Sequence, residues 1–385
     1  MSQASPERRS NEAGRGQRAG VPHPRRSVRH GTGREPGARP PGRRPAVTAS
    51  LAAAAVFALL CVAGAVSTAV RTAGLIRAFP VEALLAVAAL AVMLAAGVWV
   101  LRRIRPVRPP GAASSAAAVL WGAAAATGLA LIANDALLSV WNVLLGVPAG
   151  TAWGPSLTAP LNEELLKLAG VVILAVAAPS ALRGPVDGFI LGALVGLGFQ
   201  VVENALYALN TVVLQGATAG GVSVLVSLAL RIVVTGAGSH WAMTAIAGTA
   251  VGLLAAARWR PGPRRAWAAG LLVLFAMALH GFFNAPVLSS LPGAVAKTAV
   301  VFTSALLVYL VVRAGYRRRV RNALEAEGAA VDLHRSDARE LATRHGRRAA
   351  LHRIPAPDRP TAARRQLRLL KAAERKAAEP PEAPR

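Results

Sequence analysis

The sequence predicts an all-α protein, a polytopic transmembrane bundle of about eight helices. Three observations carry this. Between Val47 and Val312 lie several apolar runs longer than 18 residues, the length needed to cross roughly 30 Å of hydrocarbon. Only 16% of residues are charged, against about 25% in soluble domains. The basic residues gather in tails and short loops between the apolar runs.

Residues 1–46 are rich in Arg, Gly and Pro. With so little apolar surface to bury they are expected to form a disordered basic tail. The first run, Ser50–Val70, holds Cys61, the single cysteine. That excludes an intrachain disulfide and any Cys-x-x-Cys zinc site. The run is about 20 residues long and starts far from the N-terminus, unlike the short apolar core of a cleaved signal peptide, so it is expected to remain an anchor. Pro80–Leu101 follows, then Ala113–Ala133. Ser156–Ala177 is interrupted by charge, and Val186–Val213 comes next. Val222–Ala257 is broken near Gly236–Gly238, and Ala266–Ala285 and Gly293–Val312 complete the set. Residues 316–385 form a basic C-terminal tail in which Ala362–Ala378 reads as a helix on the membrane surface. The expected division is therefore 1–46, 47–315 and 316–385.

A net charge of +26 suggests nucleic acid at first sight. Arginines that flank membrane runs are better explained by the positive-inside rule and by attraction to anionic lipid. The expected partner is the lipid bilayer, and no nucleic acid. The basic segments Arg102–Arg108 and Arg258–Arg265 and both tails are expected to be cytoplasmic, in a multi-pass plasma-membrane protein. Eight crossings satisfy this if Val222–Ala257 crosses once, with its first half interfacial or broken and Arg231 reaching an interface or a polar cavity.

Ionisable groups cost at least about 2.5–3.5 kcal/mol each inside hydrocarbon, so they mark function by default. Glu82, Asp135 and Asp187 fall at run ends, within reach of water or head groups. Deeper in the runs lie Asn162, Glu163, Glu164 and Lys167, then Glu203 and Asn204, then His240 and Thr244, then His280 and Asn284. His240 and His280 are the only two of seven histidines in the membrane region, each with a polar residue at i+4 on the same face. In the eight-crossing topology all four groups reach a similar depth, toward the extracytoplasmic side. Gly188, Gly192 and Gly196 form a small-xxx-small ladder for close helix packing. Glu203, seven residues beyond Gly196, shares that face. Singly, each feature has a structural reading: an i,i+4 ion pair for Glu163 and Lys167, a satisfied buried histidine, interhelical bonds from Asn204 and Asn284. A proton-coupled transporter using Glu203 as a relay is the competing class. The off-centre depth and the lack of an internal repeat argue against it.

The segments Glu163-Glu164-Leu165-Leu166-Lys167, Gly196–Asn204, His240-Trp241-Ala242-Met243-Thr244 and His280-Gly281-Phe282-Phe283-Asn284 resemble, in this order, the PrsW family of intramembrane metalloproteases. That family is similar to the CAAX prenyl endopeptidase and bacteriocin-processing group. The resemblance covers about Leu157–Asn284. It implies peptide-bond hydrolysis in membrane-associated substrates, with Glu163, Glu164, Lys167, Asn204 and Asn284 as catalytic residues. Glu163 or Glu164 is the base, and one of this adjacent pair, 100° apart, is expected to face the site. His240 and His280, with Glu203 or a glutamate of the fourth run, form a possible Zn2+ set. Alternatively no metal is present and His280 with Asn284 stabilises the oxyanion. The family's best-known partner, a membrane-anchored anti-sigma-type regulator, is one substrate type, but substrate choice depends on regions outside these motifs. No His-Glu-x-x-His or Gly-x-Gly-Asp motif is present. Ser239 and His240, being adjacent on a helix, do not face each other as a dyad.

Overall fold

The computed structural model describes residues 44–378, all helix and connecting loop, with no strand among them. In order the helices are α1 (Arg44–Ala78), α2 (Pro80–Ile104), α3 (Ala112–Leu120), α4 (Thr127–Leu145), α5 (Val147–Ala177), α6 (Pro185–Leu214) and α7 (Gly220–Ala229). They continue as α8 (His240–Ala256), α9 (Pro263–Asn284), α10 (Leu291–Ala329), α11 (Arg335–Glu340), α12 (Arg344–His352) and α13 (Arg359–Ala378). A π-helical turn, Trp121–Ala126, joins α3 and α4 into one span. Proline in the first turn of α2, α5, α6, α9 and α10 sets where each begins, since its missing N–H falls where no intrahelical bond is due. Among the described residues seven spans are long and apolar enough to cross a membrane. α5 is equally long but carries Glu163, Glu164 and Lys167, and it makes the eighth.

The broken stretch is broken where the glycines stand. α7 and a π turn end at Val234, and a short 3-10 turn occupies Gly236–Gly238 before α8 starts. The 15 residues of Gly220–Val234 reach about 22 Å at 1.5 Å per residue, too short to span. The tail expectation for 1–46 falls outside the described residues except for Arg44–Ala46, which open α1.

α6 and α8 share the most extensive interface and lie at the centre. Lipid offers no hydrophobic drive between helices, so close packing must hold them. The glycine ladder provides it. A Cβ on Gly188, Gly192 or Gly196 would overlap the carbonyl oxygens of Gly248, Thr244 and His240 respectively. Ile190, Leu194, Met243 and Ile246 fill the space around this contact. The outer helices present Leu59, Val87, Leu271 and Leu307 outward, as lipid contact requires.

At the arginine-rich end the structure corrects two expectations. Asp187 is not open to water or head groups but buried, accepting from Arg105 Nε at 2.7 Å. The helix expected on the membrane surface, now α13, docks on protein through Leu370, Ala373 and Glu374. The cause is one charged knot. Arg105, 2% exposed, also reaches Glu374 Oε1 at 3.2 Å. Tyr316 donates to that oxygen at 2.7 Å, and Arg108 pairs with Oε2.

Candidate active site

Each polar side chain is placed by a local feature of its helix. On α5, Glu163 and Glu164 precede Lys167 by four and three residues, so both carboxylates lie over the same ammonium. Their separations from Lys167 Nζ are 3.2 Å and 2.9 Å. Pro160 lacks an N–H, which leaves the Ser156 carbonyl without its i+4 donor. Gly281 packs there, with space for a Cβ only 3.1 Å from Ser156 O. That approach brings the preceding residue, His280, against α5. The Gly236–Gly238 break ends at Ser239 in extended backbone, and His240 opens α8 beside the Gly196 contact.

These helices bring Glu163, Glu164, Lys167, Glu203, His240 and His280 into one cluster. His280 Nδ1 lies 3.0 Å from Glu164 Oε1, and His240 Nε2 lies 2.8 Å from Glu203 Oε2. Each imidazole thus turns one nitrogen to an outer carboxylate, which assigns the N–H to that side. The other two nitrogens turn inward. His240 Nδ1 is 3.7 Å and His280 Nε2 3.6 Å from Glu163 Oε2. Lys167 Nζ approaches His240 Nδ1 to 2.9 Å. His280 Nε2 is buried with no hydrogen-bond partner among the described residues. Both glutamates of the adjacent pair face the cluster, contrary to the expectation of one. The 100° between them is spanned because Lys167 and His280 each meet both carboxylates.

Two expected members stand apart. Asn204 accepts from Arg231 Nε at 2.7 Å, and Asn284 donates to Pro155 O at 3.4 Å. Neither bonds to Glu163, Glu164, His240 or His280. Four residues not singled out for the site do join it. Thr244 donates to Glu164 Oε2 at 3.0 Å, and Asn134 Nδ2 to Glu163 Oε1 at 3.0 Å. Arg231 reaches Glu203 Oε2 at 2.8 Å and lies 3.7 Å over the Tyr207 ring. The Phe199 ring sits 3.9 Å under Lys167 Nζ. Asn134 directly follows the Ala113–Ala133 run, and Thr244 sits one turn after His240, so both are visible in the sequence. Arg231 needed the fold of α7 over α6.

The sequence model of the PrsW family of intramembrane metalloproteases matches residues 111–313, just over half the chain. The chain belongs to the PrsW family. No curated protein and no solved structure matches it. The PrsW segment runs from the start of α3 into α10 and contains the whole cluster, whereas α1, α2 and α11–α13 lie outside it.

The residues fit the metal that a PrsW metalloprotease implies. Glu163, His240 and His280 offer three donor atoms within 4.8 Å of one another. Zinc–ligand bonds of about 2.0–2.1 Å give a tetrahedral edge of about 3.3–3.4 Å. The two separations from Glu163 Oε2, 3.7 Å and 3.6 Å, are close to that edge. A buried nitrogen without a partner is costly, and a cation among these three atoms would satisfy it.

Proposed function

We propose that this PrsW protein hydrolyses peptide bonds of membrane-anchored protein substrates with a Zn2+ ion held by Glu163, His240 and His280. The observation that carries the reading is the orphaned inward nitrogen of His280, aimed at Glu163. The ion would supply Lewis acidity and an activated water. The chain's own residues prepare the rest. Glu164 and Glu203 fix the tautomers of His280 and His240 so that lone pairs point inward. Lys167 offers an ammonium to a developing oxyanion. Glu203 is the most exposed of the three glutamates, at 17% of its side chain, and its Oε1 is free of hydrogen bonds among the described residues. It is the natural exit for a proton taken from water. Of the carboxylates open from sequence, the fourth-run glutamate Glu163 is the ligand and Glu203 stands behind His240.

A second reading has its own support. Lys167 Nζ already sits on His240 Nδ1, so one cation holds part of the triad. In a metal-free glutamate peptidase Glu163, whose Oε2 faces the inward nitrogens of both His240 and His280, is the base.

Depth agrees with chemistry near the outer face. Glu203 stands 16 residues beyond Asp187 on α6, about 24 Å at 1.5 Å per residue. With the arginine-rich end and both termini cytoplasmic in the plasma membrane, the cluster lies toward the extracytoplasmic side. An anti-sigma-type regulator is one such substrate.

The test is cleavage of a panel of single-pass membrane substrates by purified protein, beside metal analysis. Glu163→Gln and His280→Ala abolish cleavage while remaining folded, and a chelator stops the wild type. Cleavage that persists in both variants refutes this site. Cleavage indifferent to chelator in metal-free protein selects the second reading.

A further inference from the structure

Away from the cluster, α2 and α10 wall a slot of about 420 Å³ floored by α6. Met93, Gly97 and Leu101 line one side, Phe302 and Leu306 the other, with Leu197 beneath. Phe302 and Leu306 are about 40% exposed, so the slot opens sideways toward lipid. It ends at Trp241 near the cluster and at Tyr309 near the arginine-rich end. Both polar groups in its lining are already engaged: Trp241 Nε1 donates to Gly236 O at 2.9 Å, and Tyr309 Oη to Ile104 O at 2.6 Å.

The occupant follows from size and polarity. A helix with its side chains is about 10 Å across, so even about 10 Å of its length needs roughly 800 Å³; the slot is too small. An extended peptide would bring backbone N–H and C=O groups that find no partner there. A hydrocarbon chain needs none. Beyond Tyr309 the stripe Phe302, Leu306, Tyr309 continues at helical spacing to Arg313 and Arg317. The Arg313 guanidinium lies 5.8 Å from the Tyr309 ring centroid. Neither arginine has an ion-pair partner among the described residues. We infer that the slot binds a phospholipid, its acyl chain along α2, α6 and α10 and its phosphate at Arg313 and Arg317. The bound lipid places hydrocarbon beside Trp241, the neighbour of His240.

The experiment uses the full chain in nanodiscs containing phosphatidylglycerol or phosphatidylcholine with a diazirine on the acyl chain, adducts being mapped by mass spectrometry. Leu271 and Leu274, exposed on α9, report the annular lipid. Label on Met93, Trp241 and Phe302 exceeds that background. It is lost in Ala96→Trp and in Leu306→Trp, which fill the slot from opposite walls and whose thermal midpoints show they stay folded. Arg313→Gln and Arg317→Gln each lower the phosphatidylglycerol preference about fivefold, the contribution of one surface arginine. Slot labelling equal to that of α9, or unchanged in both filling variants, overturns the site. Displacement of the label by a transmembrane peptide would make it a peptide groove instead. An unchanged lipid preference overturns the role of the two arginines.

Discussion

Replacing Glu374 by alanine should release α13 while leaving the bundle folded. The Glu374 side chain is fully buried and accepts from Tyr316, Arg105 and Arg108. Without it Arg105, 2% exposed, keeps Asp187 at 2.7 Å, but Arg108 and the Tyr316 hydroxyl lose their acceptor. Breaking a buried pair from one side costs about 3–5 kcal/mol. The other main anchor of α13 is Leu370, whose burial contributes about 2 kcal/mol. The docked-to-free ratio of α13 therefore falls by roughly 10²-fold to about 4 × 10³-fold, at 1.4 kcal/mol per factor of ten. Amide hydrogen exchange across 359–378 reads this directly, with α6 as internal reference. Burial alone would raise the Glu374 carboxyl, but Arg105, the Tyr316 hydroxyl and Arg108 hold it below its usual value of 4.5. Its folded value being depressed, its contribution is complete above the unfolded value and fades as pH falls through the folded one. Docking is thus the same at pH 7 and pH 6, and α13 loosens only in acid well below 4.5. Protection of 359–378 that stays within about threefold of wild type in Glu374→Ala would refute the reasoning.

Other outcomes follow from the same geometry. Gly192→Val forces α6 away from the Thr244 carbonyl and costs at least about 2 kcal/mol, read as a lowered thermal midpoint; an unchanged midpoint contradicts the interface. Thr244→Val removes the donor to Glu164 Oε2 at 3.0 Å. At about 1–3 kcal/mol for an unsatisfied buried acceptor, it slows cleavage at least several-fold, and full activity would mean Glu164 is not needed in that orientation. Arg231→Met frees Glu203 and Asn204 together and lowers the cleavage rate more than Arg231→Lys, which keeps the charge. Equal loss in both variants would point to packing of α7 instead.

What was legible in the sequence follows periods and solvation. Hydrocarbon must be spanned by about 20 apolar residues, so the spans and the break at Gly236–Gly238 could be read by counting. Polar residues in hydrocarbon are expensive, so Glu163, Glu164, Glu203, His240 and His280 stood out before any contact was known. The glycine ladder announced a close helix contact, because only small residues allow one.

Tertiary structure decided what no one-helix argument reaches. Glu163 and Glu164 both serve the cluster because residues of α8 and α9 meet both carboxylates, a relation absent from α5 alone. Glu203 became the outer partner of His240, and Glu163 the inner one, because His240 begins its helix at the Gly196 crossing and turns Nε2 toward α6. Asn204 and Asn284 share the depth of the site yet bond elsewhere, since depth fixes height along a helix and not the azimuth of its neighbours. Asp187, at a run end, reads as accessible; Arg105 and Arg183 cover it, and Arg105 is held in turn by Tyr316 and by Glu374 from the far end of the chain. Spacing along a chain sets which residues share a face, and packing between chain-distant helices sets what that face meets.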